Sequence, residues 1–299
     1  MGDYALFSSA EYHLHENIIV RPALRWSHNT IYKAPVNPSL NFKWSKNNTS
    51  FRASWAQGFR APSLKELHFV FIDINHYIVG NKNLKAETSH NITANLQRKV
   101  LKESGLLTYS AGIYYNDIHD KINLAQTDGL QYSYVNLGRF KTHGFKLSTS
   151  RATKKLKTQL SFNYLGVASA QTVELLGAYS YTPELSASVQ YRLAKAQTSI
   201  SLFYKYQGEQ RNFGIDETGD VIEQHLGSYH MADLSIIRTF WNKKLSVSTG
   251  LKNLFNVQNI PSSSSAGTHS GGGNSSPFGM GRMIFLKLNL SLHAKPSTK

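Results

Sequence analysis

The stretch from Gly58 to Thr88 reads GFRAPSLKELHFVFIDINHYIVGNKNLKAET. It alternates too little for a strand and carries too many breakers for one helix. Pro62 fixes its own φ and pushes Ala61 toward extended backbone, so no helix is expected to cross Arg60-Ala61-Pro62. Ser63, with Glu66 three residues on, has the capping-box pattern and predicts a short turn of helix. His68 to Val79 is aromatic and β-branched, and Gly80-Asn81-Lys82-Asn83 is turn chemistry. The expectation is about thirty residues of irregular chain between two strands. Loops that long are functional or disordered, and this one is too aromatic for disorder.

On both sides of that stretch the period is two. Leu40, Phe42 and Trp44 alternate with Asn41, Lys43 and Ser45, and Phe51, Ala53 and Trp55 alternate with Arg52 and Ser54. Earlier, Ile18, Val20, Leu24 and Trp26 face one way while Arg21, Arg25 and Ser27 face the other. Pro22 predicts an edge or a bulge there, and Leu14 to Glu16 reads as a turn. Downstream, Ile92, Ala94 and Leu96 oppose Asn91, Thr93 and Asn95, and a strand runs through Tyr109, Ile113 and Tyr115. Another covers Val135 to Thr149, with Gly138 and Gly144 as bulge positions. The last strand is the clearest, with Ile284, Leu286, Leu288, Leu290 and Leu292 opposing Lys287, Asn289 and Ser291. The pattern gives about thirteen strands, most close to the length that crosses a bilayer at a tilt. The chain reads as all-β.

The connections alternate in kind. Lys46 to Asn48, Leu101 to Gly105, Lys154 to Lys157, Ala194 to Gln197 and Asn242 to Lys244 are short and polar. Phe59 to Ala86, Asn123 to Gln131, Ser169 to Tyr179, Asn212 to Ser228 and Gln258 to Pro277 are longer. Short turns at one end of the strands and long loops at the other are the pattern of an outer-membrane barrel. A soluble β-sandwich also alternates apolar and polar residues. Polar faces recurring on nearly every strand, with loop lengths in step, favour the membrane barrel.

Composition narrows the classes further. Lys plus Arg number 33 against 18 Asp plus Glu, a net charge of +15, and there is no Cys among the 299 residues. Disulfide and thiolate chemistry are excluded. A basic balance raises nucleic acid as a partner, but no reader motif accompanies it. Arg21, Arg25, Lys43, Arg52, Lys146, Arg192, Lys205, Lys252 and Lys287 fall mostly on the polar phase of their strands, where charge costs little in a barrel. Arg238 shares a phase with Leu234 and Ile236, near a strand end where its head can snorkel. No run of eighteen apolar residues exists, which excludes a transmembrane helix but not a barrel. Met1-Gly2-Asp3-Tyr4 opens without a basic and apolar leader, and Leu6 stands where a myristoylation signal needs Ser or Thr.

Gly58-Phe59-Arg60-Ala61-Pro62 through Leu67, followed by Gly80-Asn81-Lys82-Asn83-Leu84-Lys85-Ala86-Glu87-Thr88, resembles the paired boxes of TonB-dependent outer-membrane receptors. Lys82 and Ala86 stand where that family has Pro, which should loosen the loop. About 160 residues later, Gly250-Leu251-Lys252-Asn253-Leu254-Phe255-Asn256 is similar to the family's K-N-L-F-N strand. Two boxes in the expected order make the signal specific.

The resemblance covers Asp3 to Leu292 and implies an antiparallel transmembrane β-barrel. The chain would be its C-terminal portion, about thirteen of about 22 strands, as one domain from residue 1 to 299 with the plug absent. It implies the outer membrane of a Gram-negative cell, with lipid, a separate plug, the remaining strands and the TonB complex as partners. The function implied is active uptake of a scarce nutrient, an iron-siderophore, haem or cobalamin, and no enzyme activity. No resident cofactor is expected, haem or an iron chelate entering only as cargo. A passive porin and a soluble β-sandwich binding module are the other readings. A half barrel leaves two unpaired strand edges in lipid, so something must complete it.

Within the organising stretch the candidate ligand contacts are His68, Asp73, Asn75, His76 and Tyr77. In haem-uptake members a His between the two boxes is thought to ligate iron, and His68 and His76 occupy that interval, though packing in the loop accounts for them too. Arg60 is read as holding the loop against the barrel wall or a plug rather than touching ligand. His225 and His230 are a weak metal pair, and Asp117 and Asp120 near a strand top could bind a cation but read better as solvated loop carboxylates. Gly271-Gly272-Gly273 lacks the Lys-Ser/Thr of a phosphate loop. The tail from His293 to Lys299 is unusual after a closing strand and is expected to weaken barrel insertion; deleting it and assaying insertion tests that.

Overall fold

The structure, a computed structural model, describes residues 1–73, 77–128, 131–169, 179–215, 221–262 and 275–291. In chain order it forms β1 (Asp3–Ser9), β2 (Tyr12–His15), β3 (Ile18–Asn29), β4 (Val36–Lys46), β5 (Thr49–Arg60) and one short helix, α1 (Leu64–His68). Next come β6 (Val70–Ile72), β7 (Tyr77–Val79), β8 (Glu87–Lys102), β9 (Gly105–His119), β10 (Ile122–Asp128) and β11 (Gln131–Asn136). Then follow β12 (Arg139–Ala152), β13 (Leu156–Ser169), β14 (Ser180–Leu193), β15 (Thr198–Gln207), β16 (Gln210–Ile215) and β17 (Val221–Leu226). The chain ends with β18 (Tyr229–Phe240), β19 (Leu245–Lys252), β20 (Asn259–Pro261), β21 (Ser275–Pro277) and β22 (Met283–Leu290). The long strands form one antiparallel sheet in the order β1-β3-β4-β5-β8-β9-β12-β13-β14-β15-β18-β19-β22, with β2 continuing β1 along β3. Those thirteen positions match the number of strands expected from the alternation.

Two compact units divide the chain. Met1–Gln97, Ala111–Phe145 and Leu165–Tyr181 form the first; Arg98–Ser110, Lys146–Tyr164 and Thr182–Lys299 form the second. In the second, register places Val189, Leu202, Leu234, Leu251 and Ile284 side by side across five strands. One residue along, the row becomes Gln190, Ser201, Ser235, Gly250 and Phe285. In the first unit Tyr12, Val20, Phe42 and Ala53 make an apolar row, and Arg21, Asn41 and Ser54 a polar one. A slip of one residue would reverse every face, so the alternation itself sets the pairing.

The apolar rows are not a core. Ile284, Leu286 and Leu288 are 79%, 69% and 65% exposed, and Trp26, Leu40, Ile92, Ile113, Leu160 and Val189 are exposed as well. Among the described residues the buried hydrophobic set is small: Leu67, Leu84, Ile122, Ala168, Ala232 and Ile260. A continuous apolar surface of this kind does not stay in water, so the sheet's greasy side requires a non-aqueous neighbour.

Several local expectations are corrected. Among the described residues between His68 and Val79, Val70–Ile72 and Tyr77–Val79 are strands: β6 and β7 pair with each other, and β7 runs parallel to β11. Asn123 to Gln131 is largely strand, because β10 and β11 form a hairpin. The longer connections near Asn212 and Gln258 also carry hairpins, β16–β17 and β20–β21. β6, β7, β20 and β21 are three residues each, too short to show a period, whereas β10, β11, β16 and β17 are six or seven residues long and set within polar, turn-rich sequence. Val135 to Thr149 is broken at Leu137-Gly138, where Gly138 takes a φ of 69°. The first turn falls at Glu16-Asn17, since Leu14 and His15 belong to β2. Pro22 is not on an edge: it pairs with Leu40 on one side and accepts from the Ala10 amide on the other. Lacking an N–H it returns nothing, and the ladder breaks there between β1 and β2.

Gly250 has no room for a side chain, since a Cβ would meet the Leu234 carbonyl oxygen at 2.3 Å and the Phe285 ring at 2.8 Å. Gly250→Val is expected to cost about 1–3 kcal/mol through overpacking. Gly279→Ala, with open space around it, should leave the urea midpoint of tryptophan fluorescence unmoved.

Candidate functional site

Within the first unit, the two sequence boxes meet at Arg60. This residue ends β5, and its guanidinium donates from Nε and Nη2 to both oxygens of Glu87 at 2.9 and 2.6 Å. Its Nη1 donates to both oxygens of Glu66 at 3.0 Å. The planar fork suits two carboxylates at once, which a lysine's single point charge does not. Glu66 is the N3 residue of α1, and its carboxylate also accepts from the Ser63 amide at 2.7 Å while Ser63 Oγ accepts from the Glu66 amide. The capping box read from sequence is therefore present and tied into the ion pair. Burial works against charge on Glu66, but the Ser63 amide and hydroxyl and the Arg60 guanidinium outweigh it and hold the carboxyl below its usual range.

The second box is fastened to the first through its backbone. The Gly80 amide donates to the Phe69 carbonyl at 2.6 Å and the Asn81 amide to the Glu66 carbonyl at 2.9 Å. A Cβ on Gly80 would sit 2.7 Å from the His68 nitrogen, so the two segments approach as closely as glycine permits. The Asn81 side chain accepts from the Asn83 amide and donates to the Tyr134 carbonyl, both at 2.9 Å. The turn at Lys82-Asn83 forms without the prolines of the family pattern. Asn136 accepts from the Lys85 amide and donates to the carbonyls of Lys85 and Asp120. Glu87 Oε1 also accepts from the Ile122 amide at 2.7 Å. Beneath lies a small core of Leu67, Leu84 and Ile122, with Tyr32 and Tyr134 packed against it, and Pro62 is fully buried. Burial pushes the Lys121 ammonium down, and its Nζ lies 3.4 Å from the Phe140 ring centroid.

On this base the candidate contacts His68, Asp73 and Tyr77 are exposed, at the end of α1, after β6 and at the start of β7. Asn75 and His76 lie outside the described residues. Tyr134, Asn136 and Ile122 were not read from the sequence as part of the site, because they lie some fifty residues downstream without a local mark. Asp117 is not a solvated carboxylate: it is buried and held by Arg139 at 2.8 Å. His225 binds Glu209, and His230 binds the Tyr204 hydroxyl and stacks near Tyr206, so the two face different partners.

The other box, in the second unit, is a backbone knot. Asn253 and Asn256 take φ values of 53° and 57°. The Asn253 amide donates to Asp233, its side chain bonds the Val257 amide and carbonyl, and the Leu254 amide donates to the Ala232 carbonyl. Arg282 donates to the Leu254 carbonyl at 2.7 Å, and its amide donates to the Asn256 side chain. Phe255 remains exposed and meets Tyr204 edge-on.

An antiparallel sheet with apolar and polar faces, joined by short turns and by longer connections that carry small sheets of their own, describes a β-barrel-type fold. The chain belongs to the TonB dependent receptor-like β-barrel family, whose model matches residues 2–254. It is 24% identical over 281 residues to the ferric enterobactin receptor of Pseudomonas aeruginosa, an alignment covering 84% of this chain and 37% of that receptor. It is also 24% identical over 288 residues to the ferrienterobactin receptor of Escherichia coli, covering 84% of this chain and 36% of that one. The chain thus spans little more than a third of these curated relatives. Its fold matches a Pseudomonas aeruginosa ferric enterobactin receptor solved with enterobactin, at a TM-score of 0.73, 20% identity, and 96% and 45% coverage of the two chains. An iron transporter of Neisseria meningitidis matches at a TM-score of 0.70, 18% identity, and 96% and 44% coverage. The family is one of transport receptors, not enzymes.

Arg60→Ala leaves Glu66 and Glu87 facing each other without their shared cation. The expected cost is about 1–2 kcal/mol, limited because the guanidinium is partly exposed, and it should appear as faster proteolysis between residues 58 and 88. Arg60→Lys should recover only part of the protection. Because the folded Glu66 titrates below its unfolded value of about 4.3, its contribution is complete above that pH and is lost as pH falls through the lower folded value. Amide exchange at Leu67 and Phe69, corrected for intrinsic rate, should therefore stay slow at neutral pH and speed up only in acid.

Proposed function

We propose that the chain is the strand-and-loop portion of an outer-membrane receptor that takes up a ferric siderophore through the TonB system. The single observation that carries this reading is the family match, joined to two curated relatives that are both ferric enterobactin receptors. The exposed apolar rows meet lipid, and the polar rows line the interior. The long connections face outside the cell and the short turns face the periplasm. The net charge of +15 suits an anionic iron(III) catecholate better than neutral cargo. The surface bearing His68, Asp73 and Tyr77, with Asn75 and His76 between them in sequence, is the proposed point of first contact, held in place by the Arg60 tether. Energised transport belongs to the whole receptor, where a plug and TonB couple the barrel to the inner membrane.

Titration of the chain in detergent micelles tests the cargo, with its four tryptophans as the signal. A ferric tris-catecholate should quench them saturably, and His68→Ala should weaken the effect. Haem that saturates the chain with a shifted Soret band, while ferric siderophores leave the fluorescence unchanged, would contradict the assignment. Uptake by the complete receptor that persists without TonB would indicate a passive porin instead.

A further inference from the structure

The outward phase of β9, β12 and β14 changes character where these strands meet the long connections. Along β9, Ile113 is 63% exposed and is followed on the same face by Tyr115, Asp117 and His119. Along β12, Phe145 is exposed and apolar, and the same face continues back through His143, Lys141 and Arg139. Tyr181 stands at the start of β14, with Tyr179 just before it. The opposite face of the same strands is different: there Asn116 donates to Thr142 at 2.8 Å.

These groups form one cluster inside the first unit. Arg139 donates from Nε and Nη2 to both oxygens of Asp117, the Tyr115 hydroxyl reaches that carboxylate at 3.4 Å, and His119 Nε2 lies 3.6 Å from it. Lys141 acts on the same carboxylate electrostatically but makes no ion pair among the described residues. His143 meets the Tyr181 hydroxyl at 3.1 Å and the edge of Tyr179 at a centroid distance of 4.3 Å. Gly166 on the intervening β13 makes this possible, since a Cβ there would come within 2.7 Å of the Tyr181 ring and 3.1 Å of His143 Nε2. A single carboxylate thus serves several basic groups, and Arg139 and His119 remain about half exposed. A net positive, aromatic-rich patch sits directly above apolar side chains on one face.

Aromatic rings settle at the level of lipid headgroups, and basic side chains there attract headgroup phosphate. We propose that this patch binds the phosphorylated sugar headgroup of a membrane lipid, with Lys141, His119 and the exposed edge of Arg139 on the phosphate and the tyrosines on the sugar. The proposal rests on the membrane reading above.

The test uses the full chain in nonionic detergent micelles doped with a phosphorylated glucosamine-disaccharide lipid or its dephosphorylated counterpart. Lipid retained per chain after gel filtration is measured by mass spectrometry. The phosphorylated lipid should be retained and the dephosphorylated one lost. Lys141→Gln, which leaves the Asp117–Arg139 pair intact, should weaken retention roughly fivefold, as about 1 kcal/mol per basic side chain implies. Lys154→Gln, in the short β12–β13 turn, should change nothing, and neither should competing inorganic phosphate. Equal retention of the two lipids, an unchanged Lys141→Gln variant, or displacement by inorganic phosphate overturns the proposal while leaving the membrane reading intact. A chain that stays dispersed in water without binding detergent overturns both.

Discussion

The guanidinium of Arg60 holds two carboxylates that arrive from different parts of the chain, Glu66 from α1 and Glu87 from the start of β8. That fork ties the end of β5 to α1, the only helix among the described residues, and to the start of β8. Charge-assisted bonds of this kind are strong where solvent is partly excluded, and Glu66 and Glu87 are both only 15% exposed. The core beneath is too small to hold the module by apolar burial alone, so the polar network carries the specificity.

The sheet obeys a different constraint. Its apolar rows are exposed and its polar rows carry charges such as Lys43 and Arg52, directly opposite each other across β4 and β5. Like charges in that position repel, which is tolerable only where water or an opposite charge faces them. Apolar rows left exposed on one face, with charge on the other, are the reverse of a soluble domain's sheet. That arrangement is what a strand needs when one side meets hydrocarbon. β1 and β22 each have one neighbour in the order, so their open edges call for pairing before such a sheet is stable in lipid.

Much of this is legible in the residues. Period-two alternation through Leu40–Trp44 or Ile284–Leu290 specifies both strand and face, and Ser63 with Glu66 specifies the cap. The paired boxes mark where the module is fastened. What the residues do not disclose is the far side of each fastening. Asn136 holds the backbone of Lys85, and Tyr134 receives Asn81, through contacts more than fifty positions apart. Asp117 reads as a loop carboxylate until Arg139 is brought beside it by strand pairing. The strands β6 and β7 are three residues each: β11 offers β7 an edge, and β7 offers one to β6. Tertiary pairing, not local propensity, decides such segments.

The central claim is that one face of every long strand lies in lipid. Because the chain has no cysteine of its own, single cysteines can be placed along β14 from Leu185 to Tyr191 without background. Each would carry an environment-sensitive dye in vesicles whose acyl chains bear a nitroxide quencher. Strong quenching at Leu185, Ala187, Val189 and Tyr191, with weak quenching at Ser186, Ser188 and Gln190, is the predicted result. Uniform quenching, or none along the whole strand, would contradict the account.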